Sequence, residues 1–100
     1  SQDKKLASEW FNKVLEQKEK GNFAIDLAEY YTEINHPSLT FYFYLINAKE
    51  GNPVSQYNIG LMYKDGIGTI KNLSEAKSWF EKAYENGDND AKRLLDELNN

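Results

Sequence analysis

The sequence predicts an all-α fold built from antiparallel helix pairs, and three features of residues 55–91 predict it. Small and apolar residues recur at helical spacing in two successive segments. Gly66 and Gly68 separate the two segments, and Gly87 follows the second. Ser55 and Ala91 are thirty-six residues apart and each opens the same kind of helix, which corresponds to one period of a helical repeat.

The first helix of this repeat carries small and apolar residues at positions i, i+4, i+5 and i+8, which are Ser55, Ile59, Gly60 and Tyr63. A glycine inside a helix costs roughly 1 kcal/mol relative to alanine. We therefore expect another backbone to come close to the helix at Gly60. The helix should end at Gly66, because glycine accepts the left-handed conformation that follows many helices.

The second helix is predicted to begin near Ser74, which is a suitable N-cap residue. Its apolar stripe follows the helical period and consists of Ala76, Trp79, Phe80, Ala83 and Tyr84. Gly87 should end this helix, and Asp88 or Asn89 should cap the next one. Small residues on one helix that face aromatic residues on the other predict a tight antiparallel pair.

These positions resemble the Sel1-like repeat, a branch of the tetratricopeptide-like α-solenoids. The family pattern is a small residue, Leu-Gly, Tyr, Gly-x-Gly, Ala, an aromatic pair, Ala and Gly. In this sequence the pattern reads Ser55, Ile59-Gly60, Tyr63, Gly66-Ile67-Gly68, Ala76, Trp79-Phe80, Ala83 and Gly87. Ser55 replaces the usual alanine. The resemblance implies a short right-handed α-α superhelix of about six antiparallel helices.

We expect a single domain over the one hundred residues. Residues 53–87 form the full repeat, and residues 22–51 form a degenerate repeat. Residues 3–20 are predicted to form a leading helix, and residues 88–100 a C-terminal cap helix that hides the open end of the solenoid.

The second helix of the degenerate repeat is unusual because residues 41–44 are all aromatic. Such a run also occurs in strands, but the flanking helical pattern favours a helix. Two registers relative to the full repeat remain open. One aligns Gly51 with Gly87, and the other slides by one residue so that Ala48 takes the place of Ala83.

In either register this helix has a second apolar stripe, which consists of Leu39, Tyr42 and Ile46 at spacing i, i+3 and i+7. A central helix that buries two faces would explain the stripe. A patch that binds a partner would explain it as well, and the sequence leaves both interpretations open.

The composition restricts the possible partners. The net charge of −4 disfavours a nucleic-acid backbone as ligand and favours a basic partner. There is no cysteine, so disulfides and thiolate metal sites are excluded. No apolar run approaches the length of a membrane span, and we expect no membrane association. We also expect no cofactor and no metal.

The candidate binding surface follows from the resemblance, because the first helix of each pair lines the concave side of these solenoids. Tyrosine and leucine among charged residues suit a protein interface with an aromatic anchor and a polar rim. The alternative is that Tyr57 and Leu61 pack on a neighbouring helix. The candidate partner-binding residues, with Tyr42 from the second stripe, are Ile25, Glu29, Glu33, Tyr57, Leu61, Lys64, Asp65, Arg93 and Tyr42.

The predicted function is therefore non-enzymatic binding of another protein, by a chain that is monomeric when unbound. Its small size and acidity favour an adaptor or a dedicated inhibitor, such as a bacterial immunity protein that binds a basic toxin. A capped fragment of a larger scaffold and a hydrolase are the alternatives. No nucleophile is paired with a base in the sequence, and His36, the only histidine, is expected in a solvated turn.

Overall fold

The computed structural model describes residues 8–9 and 23–99. The predicted leading helix at residues 3–20 lies outside this part, apart from residues 8–9, which are helical. Five complete helices follow in chain order, and the described residues contain no strand. The helices are α1 (Phe23–Glu33), α2 (Pro37–Lys49), α3 (Pro53–Asp65), α4 (Leu73–Glu85) and α5 (Asp90–Asn99). The predicted all-α fold is confirmed.

The described helices pack chiefly on their neighbours in sequence, as in an α-solenoid. None of them combines the length and apolarity that crossing a membrane would require. Three hydrophobic clusters follow one another along the stack. The first joins α1 and α2 around Leu27 and Phe43, and the second joins α2, α3 and α4 around Ile59 and Trp79. The third joins α4 and α5 around Phe80.

The pattern of buried residues decides between the two registers that the sequence left open for α2. Helices α2 and α4 both contain 13 residues, and their first residues are thirty-six positions apart. Buried residues of α2 occupy the same places as buried residues of α4 when Gly51 is aligned with Gly87. The matching buried sets are Thr40, Phe43 and Asn47 in α2 and Ala76, Trp79 and Ala83 in α4.

The helix ends follow local capping chemistry. Gly66 ends α3 with φ 68°, in the left-handed region, as predicted. The Asp88 Oδ1 atom accepts a hydrogen bond from the Asp90 backbone N–H at 3.0 Å, so Asp88 caps α5. The predicted cap of α4 is wrong. Its N-cap is Asn72, whose Oδ1 accepts from the Glu75 N–H at 3.0 Å, whereas Ser74 already lies in the first turn.

This cap gives a simple test. Asn72→Ala is expected to lower the free energy of unfolding by about 1 kcal/mol, because the Glu75 N–H loses its acceptor. Ser74→Ala is the matched control and should change the free energy of unfolding by only about 0.3 kcal/mol. Urea unfolding followed by circular dichroism measures both. Equal losses for the two variants would contradict the observed cap.

The group nearest to Gly60 is a side chain, whereas the sequence led us to expect a backbone. The three atoms nearest to a Cβ added at Gly60 all belong to the Phe80 ring. Phe80 is fully buried, so the ring fills the space that the glycine leaves. A backbone approach occurs instead at Gly68, where a Cβ would meet the Pro37 carbonyl, and φ is +75°. The α3–α4 loop therefore lies against the start of α2.

Polar side chains connect neighbouring helices near the α2–α3 and α4–α5 turns. Ser55 Oγ donates to Asn47 Oδ1 at 2.7 Å in a buried contact between α3 and α2. Gln56 Nε2 donates to the Ala48 carbonyl at 3.0 Å, and Gln56 Oε1 accepts from Asn86 Nδ2 at 3.0 Å. Gln56 thus joins the end of α2 to the end of α4.

Candidate functional site

The N-terminal part of the predicted surface lies on α1 and is acidic. Glu29 and Glu33 are exposed, and Ile25 on the same stripe is half-buried. The two carboxylates border a shallow hollow of about 190 Å³ together with Asp26 and Tyr30. Among the described residues, no ion pair involves the carboxylates of Asp26, Glu29 or Glu33. This face of α1 therefore carries negative charge that is paired with no cation among residues 8–9 and 23–99, and it lies beside an aromatic ring.

The negative charge of α1 reaches the neighbouring helix. Burial, followed by the nearby Glu29 carboxylate, raises the pKa of the Tyr44 hydroxyl on α2. The phenol therefore keeps its proton, and its capacity to donate a hydrogen bond, to a higher pH than an ordinary tyrosine. Burial also raises the pKa of Tyr31 in the α1–α2 core, where its ring stacks on Phe43 with centroids 5.6 Å apart.

The central part of the predicted surface lies on α3 and takes part in the core. Tyr57 and Leu61 are half-buried and pack against the α4–α5 cluster. The Tyr57 ring lies 5.8 Å from the Phe80 ring, measured between centroids. The alternative that these side chains pack on a neighbouring helix is therefore confirmed, and part of each side chain stays exposed. Binding of a partner by Tyr57 and Leu61 stays a prediction.

The remaining charged candidates differ in whether they form an ion pair with another described residue. Lys64 Nζ lies 3.3 Å from Asp65 Oδ1, and this pair is partly exposed. An ion pair of this kind contributes little to stability, so both groups remain available for a partner. Arg93 on α5 is exposed and takes part in no ion pair within the described residues.

The second stripe on α2 is mostly exposed. Tyr42 exposes 55% of its surface and Leu39 exposes 38%. Ile46 is half-buried and packs on the α1–α2 cluster. The stripe therefore does not form a second buried face. Tyr42 lies on α2, whereas the other candidate residues lie on α1, α3 and α5.

The structure contains a pocket that the sequence argument missed. It lies between the α1–α2 turn and the α3–α4 loop and has a volume of about 130 Å³, with His36, Thr40, Met62 and Ile67 in its lining. Ile67 and Ile70 are 49% and 87% exposed. The helical stripes gave no information about this site because loop residues have no helical period. Two isoleucines in a glycine-containing loop were the available signal.

The described residues do not form a metal site, since no three His, Asp or Glu side chains are placed to hold an ion. His36 is exposed, and its ring meets Tyr31 edge-on with centroids 6.2 Å apart. This geometry gives the histidine a packing partner and pairs it with no nucleophile.

Comparisons with known proteins identify the architecture. The sequence model of the Sel1 repeat matches residues 53–88. The crystal structure of a Sel1 repeat protein from Oxalobacter formigenes superposes with a TM-score of 0.72 and is 33% identical in sequence. The superposition covers 77% of this chain and 61% of that protein. This chain contains a Sel1 repeat.

Two curated relatives match this chain over short segments. A chitin synthase regulator, SKT5, from Malassezia restricta is 41% identical over 51 residues, which are 51% of this chain and 4% of the relative. A protein described as sel1-like repeat-containing, L18 of Acanthamoeba polyphaga mimivirus, is 47% identical over 36 residues, or 36% of this chain and 6% of the relative. The chain thus spans a small part of the curated proteins it matches.

Sel1 repeat proteins are protein–protein interaction modules and are typically non-enzymatic. The geometry of interest in this chain is therefore its exposed surface. The predicted surface includes the acidic face of α1, the half-buried Tyr57 and Leu61 of α3, and the exposed Arg93 of α5, and its role in binding stays a prediction.

Proposed function

We propose that this chain is a small non-enzymatic adaptor or dedicated inhibitor that binds one basic protein. The observation that carries the proposal is the group of three carboxylates on α1, which border one hollow beside an aromatic ring and form no ion pair with the residues that the structure describes. The binding residues are Ile25, Glu29 and Glu33 of α1, Tyr57, Leu61, Lys64 and Asp65 of α3, and Arg93 of α5. Tyr42 is proposed as a separate contact on α2.

The charge of α1 suits lysine or arginine side chains of a partner. Each carboxylate can accept charge-assisted hydrogen bonds from a guanidinium or ammonium group. Since an unbound carboxylate stays hydrated, the net gain lies mainly in the association rate and in the rejection of acidic partners.

The half-buried residues of α3 give the proposed interface its apolar part. Tyr57 and Leu61 are held by the α4–α5 cluster, so binding would immobilise them at low cost in conformational entropy. Rigid aromatic anchors next to charged rims are typical of residues that dominate binding energy. Lys64 and Asp65 at the end of α3 would form part of the rim.

A bacterial immunity protein that binds a basic toxin is one specific version of this proposal, and the net charge of −4 and the small size favour it. The second candidate is a segment of a larger scaffold. It is favoured because the matched segments amount to only 4% and 6% of the curated relatives. A hydrolase has the least support, since the one histidine is paired with no nucleophile in the described residues.

Charge reversal on α1 tests the proposal. We expect Glu29→Lys combined with Glu33→Lys to weaken binding of the partner about tenfold or more, because two attractive charges become repulsive. The partner is first captured from a lysate of the source organism and identified by mass spectrometry. Its affinity is then measured by calorimetry at low and high salt, and we expect weaker binding at high salt.

The matched control is Glu81→Lys combined with Glu85→Lys. These two glutamates are also exposed and four residues apart, but they lie on α4. The control has the same net charge as the test variant and should bind normally. Equal losses of affinity for both variants would mean that only net charge affects binding. A loss of affinity with Tyr42→Asp alone would mean that the partner binds on α2. Either result would refute binding through α1.

A further inference from the structure

One turn of the molecule combines a reactive sequence with a structural hydrogen bond. Asn86-Gly87 is the only Asn-Gly pair in the sequence, and it lies at the end of α4. Asn86 is exposed, and a Cβ added at Gly87 would meet no atom within 4 Å. The carboxamide of Asn86 is nevertheless engaged, because its Nδ2 donates to Gln56 Oε1 at 3.0 Å.

We propose that Asn86 is a site of spontaneous deamidation that loosens the α4–α5 turn. The backbone nitrogen of Gly87 loses its proton to solvent and attacks Cγ of Asn86. The Cγ–Nδ2 bond breaks, and the amide nitrogen takes protons from water and leaves as ammonia. Water then opens the resulting succinimide to aspartate or isoaspartate. Glycine favours this step because no side chain shields its nitrogen.

The folded turn restrains the reaction. The Gly87 N–H donates to the Tyr84 carbonyl at 3.1 Å, and the Asn86 side chain is held by Gln56. Both hydrogen bonds keep the nitrogen and Cγ from their reactive approach. Ring closure therefore requires local opening of the turn, which occurs more readily at an exposed helix end than in the core.

The products cannot restore the original contact. A carboxylate has no N–H to donate, so it would face Gln56 Oε1 as a second acceptor. Gln56 cannot turn its amide around without losing the hydrogen bond from Nε2 to the Ala48 carbonyl. The new negative charge also lies at the C-terminal end of α4, where the helix dipole disfavours it. Isoaspartate further lengthens the backbone of the turn.

Peptide mapping of the aged protein tests the proposal. The purified chain is incubated at mildly alkaline pH and 37 °C and digested with trypsin, which releases the peptide 83–92. We expect the mass gain of one deamidation, with both aspartate and isoaspartate products, at Asn86 before any other asparagine. Asn89 lies in the same peptide and is the internal control. Earlier deamidation at any other asparagine would overturn the proposal.

Two comparisons test whether the hydrogen bond between Asn86 and Gln56 stabilises the turn and restrains deamidation. Asn86→Asp should lower Tm by about 4–8 °C, as expected for a domain of this size when one such contact is lost. Asn89→Asp adds the same charge to the same turn and should leave Tm almost unchanged. Gln56→Met should accelerate deamidation at Asn86 relative to Asn89. Equal Tm values for the two aspartate variants, or an unchanged rate with Gln56→Met, would refute the role of the hydrogen bond.

Discussion

Gly60→Val is expected to lower the free energy of unfolding by about 2–3 kcal/mol, because the new side chain must enter space that the Phe80 ring occupies. A Cβ at this position would already lie 2.6 Å from Phe80 Cδ1. Since Phe80 is fully buried, its ring cannot swing into solvent. Helix propensity alone predicts the opposite sign, because glycine is a poorer helix former than valine. Urea unfolding followed by circular dichroism decides between the two effects.

A double-mutant cycle with Phe80→Leu isolates the contact. The smaller side chain at position 80 destabilises the core on its own, but it should reduce the cost of Gly60→Val. We therefore expect the double variant to lose less stability than the sum of the single losses. Additive losses, or a Gly60→Val variant more stable than the parent, would contradict the close packing of the glycine against the ring.

Ser55→Ala is expected to destabilise the protein by about 1–3 kcal/mol, although alanine is the usual residue in the repeat pattern. Ser55 is completely buried and donates to Asn47 Oδ1 at 2.7 Å. Its removal leaves a buried amide oxygen without this donor. Asn47 itself occupies the place that Ala83 has in the full repeat, so the serine and the asparagine depart from the pattern together.

The paired departure predicts coupling between the two positions. Asn47→Ala combined with Ser55→Ala should cost less than the sum of the two single substitutions, with a coupling of about 0.5–3 kcal/mol. Chemical denaturation of the four proteins in the cycle measures this quantity. If Ser55→Ala stabilises the chain, or if the two losses simply add, the buried hydrogen bond does not contribute as proposed.

Periodic apolar residues predicted the helices well because burial repeats with the turn of a helix. Ile59, Ala76 and Phe80 are all fully buried, as their positions in the stripes indicated. The start of α4 was misplaced because Asn72 and Ser74 are both good capping residues. Only the position of the Glu75 N–H shows which of the two accepts its hydrogen bond.

The candidate surface was less predictable than the fold. Spacing placed Glu29 and Glu33 on one stripe, and both are exposed. Asp26 and Tyr30 border the same hollow and share this helical face, each three residues before one of the two glutamates, so the same spacing could have predicted them. The pocket beside Ile67 could not be predicted in this way, since it requires two segments that are distant in sequence to come together.

The packing of each described helix chiefly on its neighbours in sequence has a mechanical consequence. If the chain is pulled from its two ends, few contacts between remote segments oppose the load, so helices can detach one at a time. An optical-tweezers trace should then show several small extensions at low force in place of a single large rupture. The bridge from Gln56 to Asn86 spans thirty positions, and it should make the region from α3 to the α4–α5 turn the last to yield.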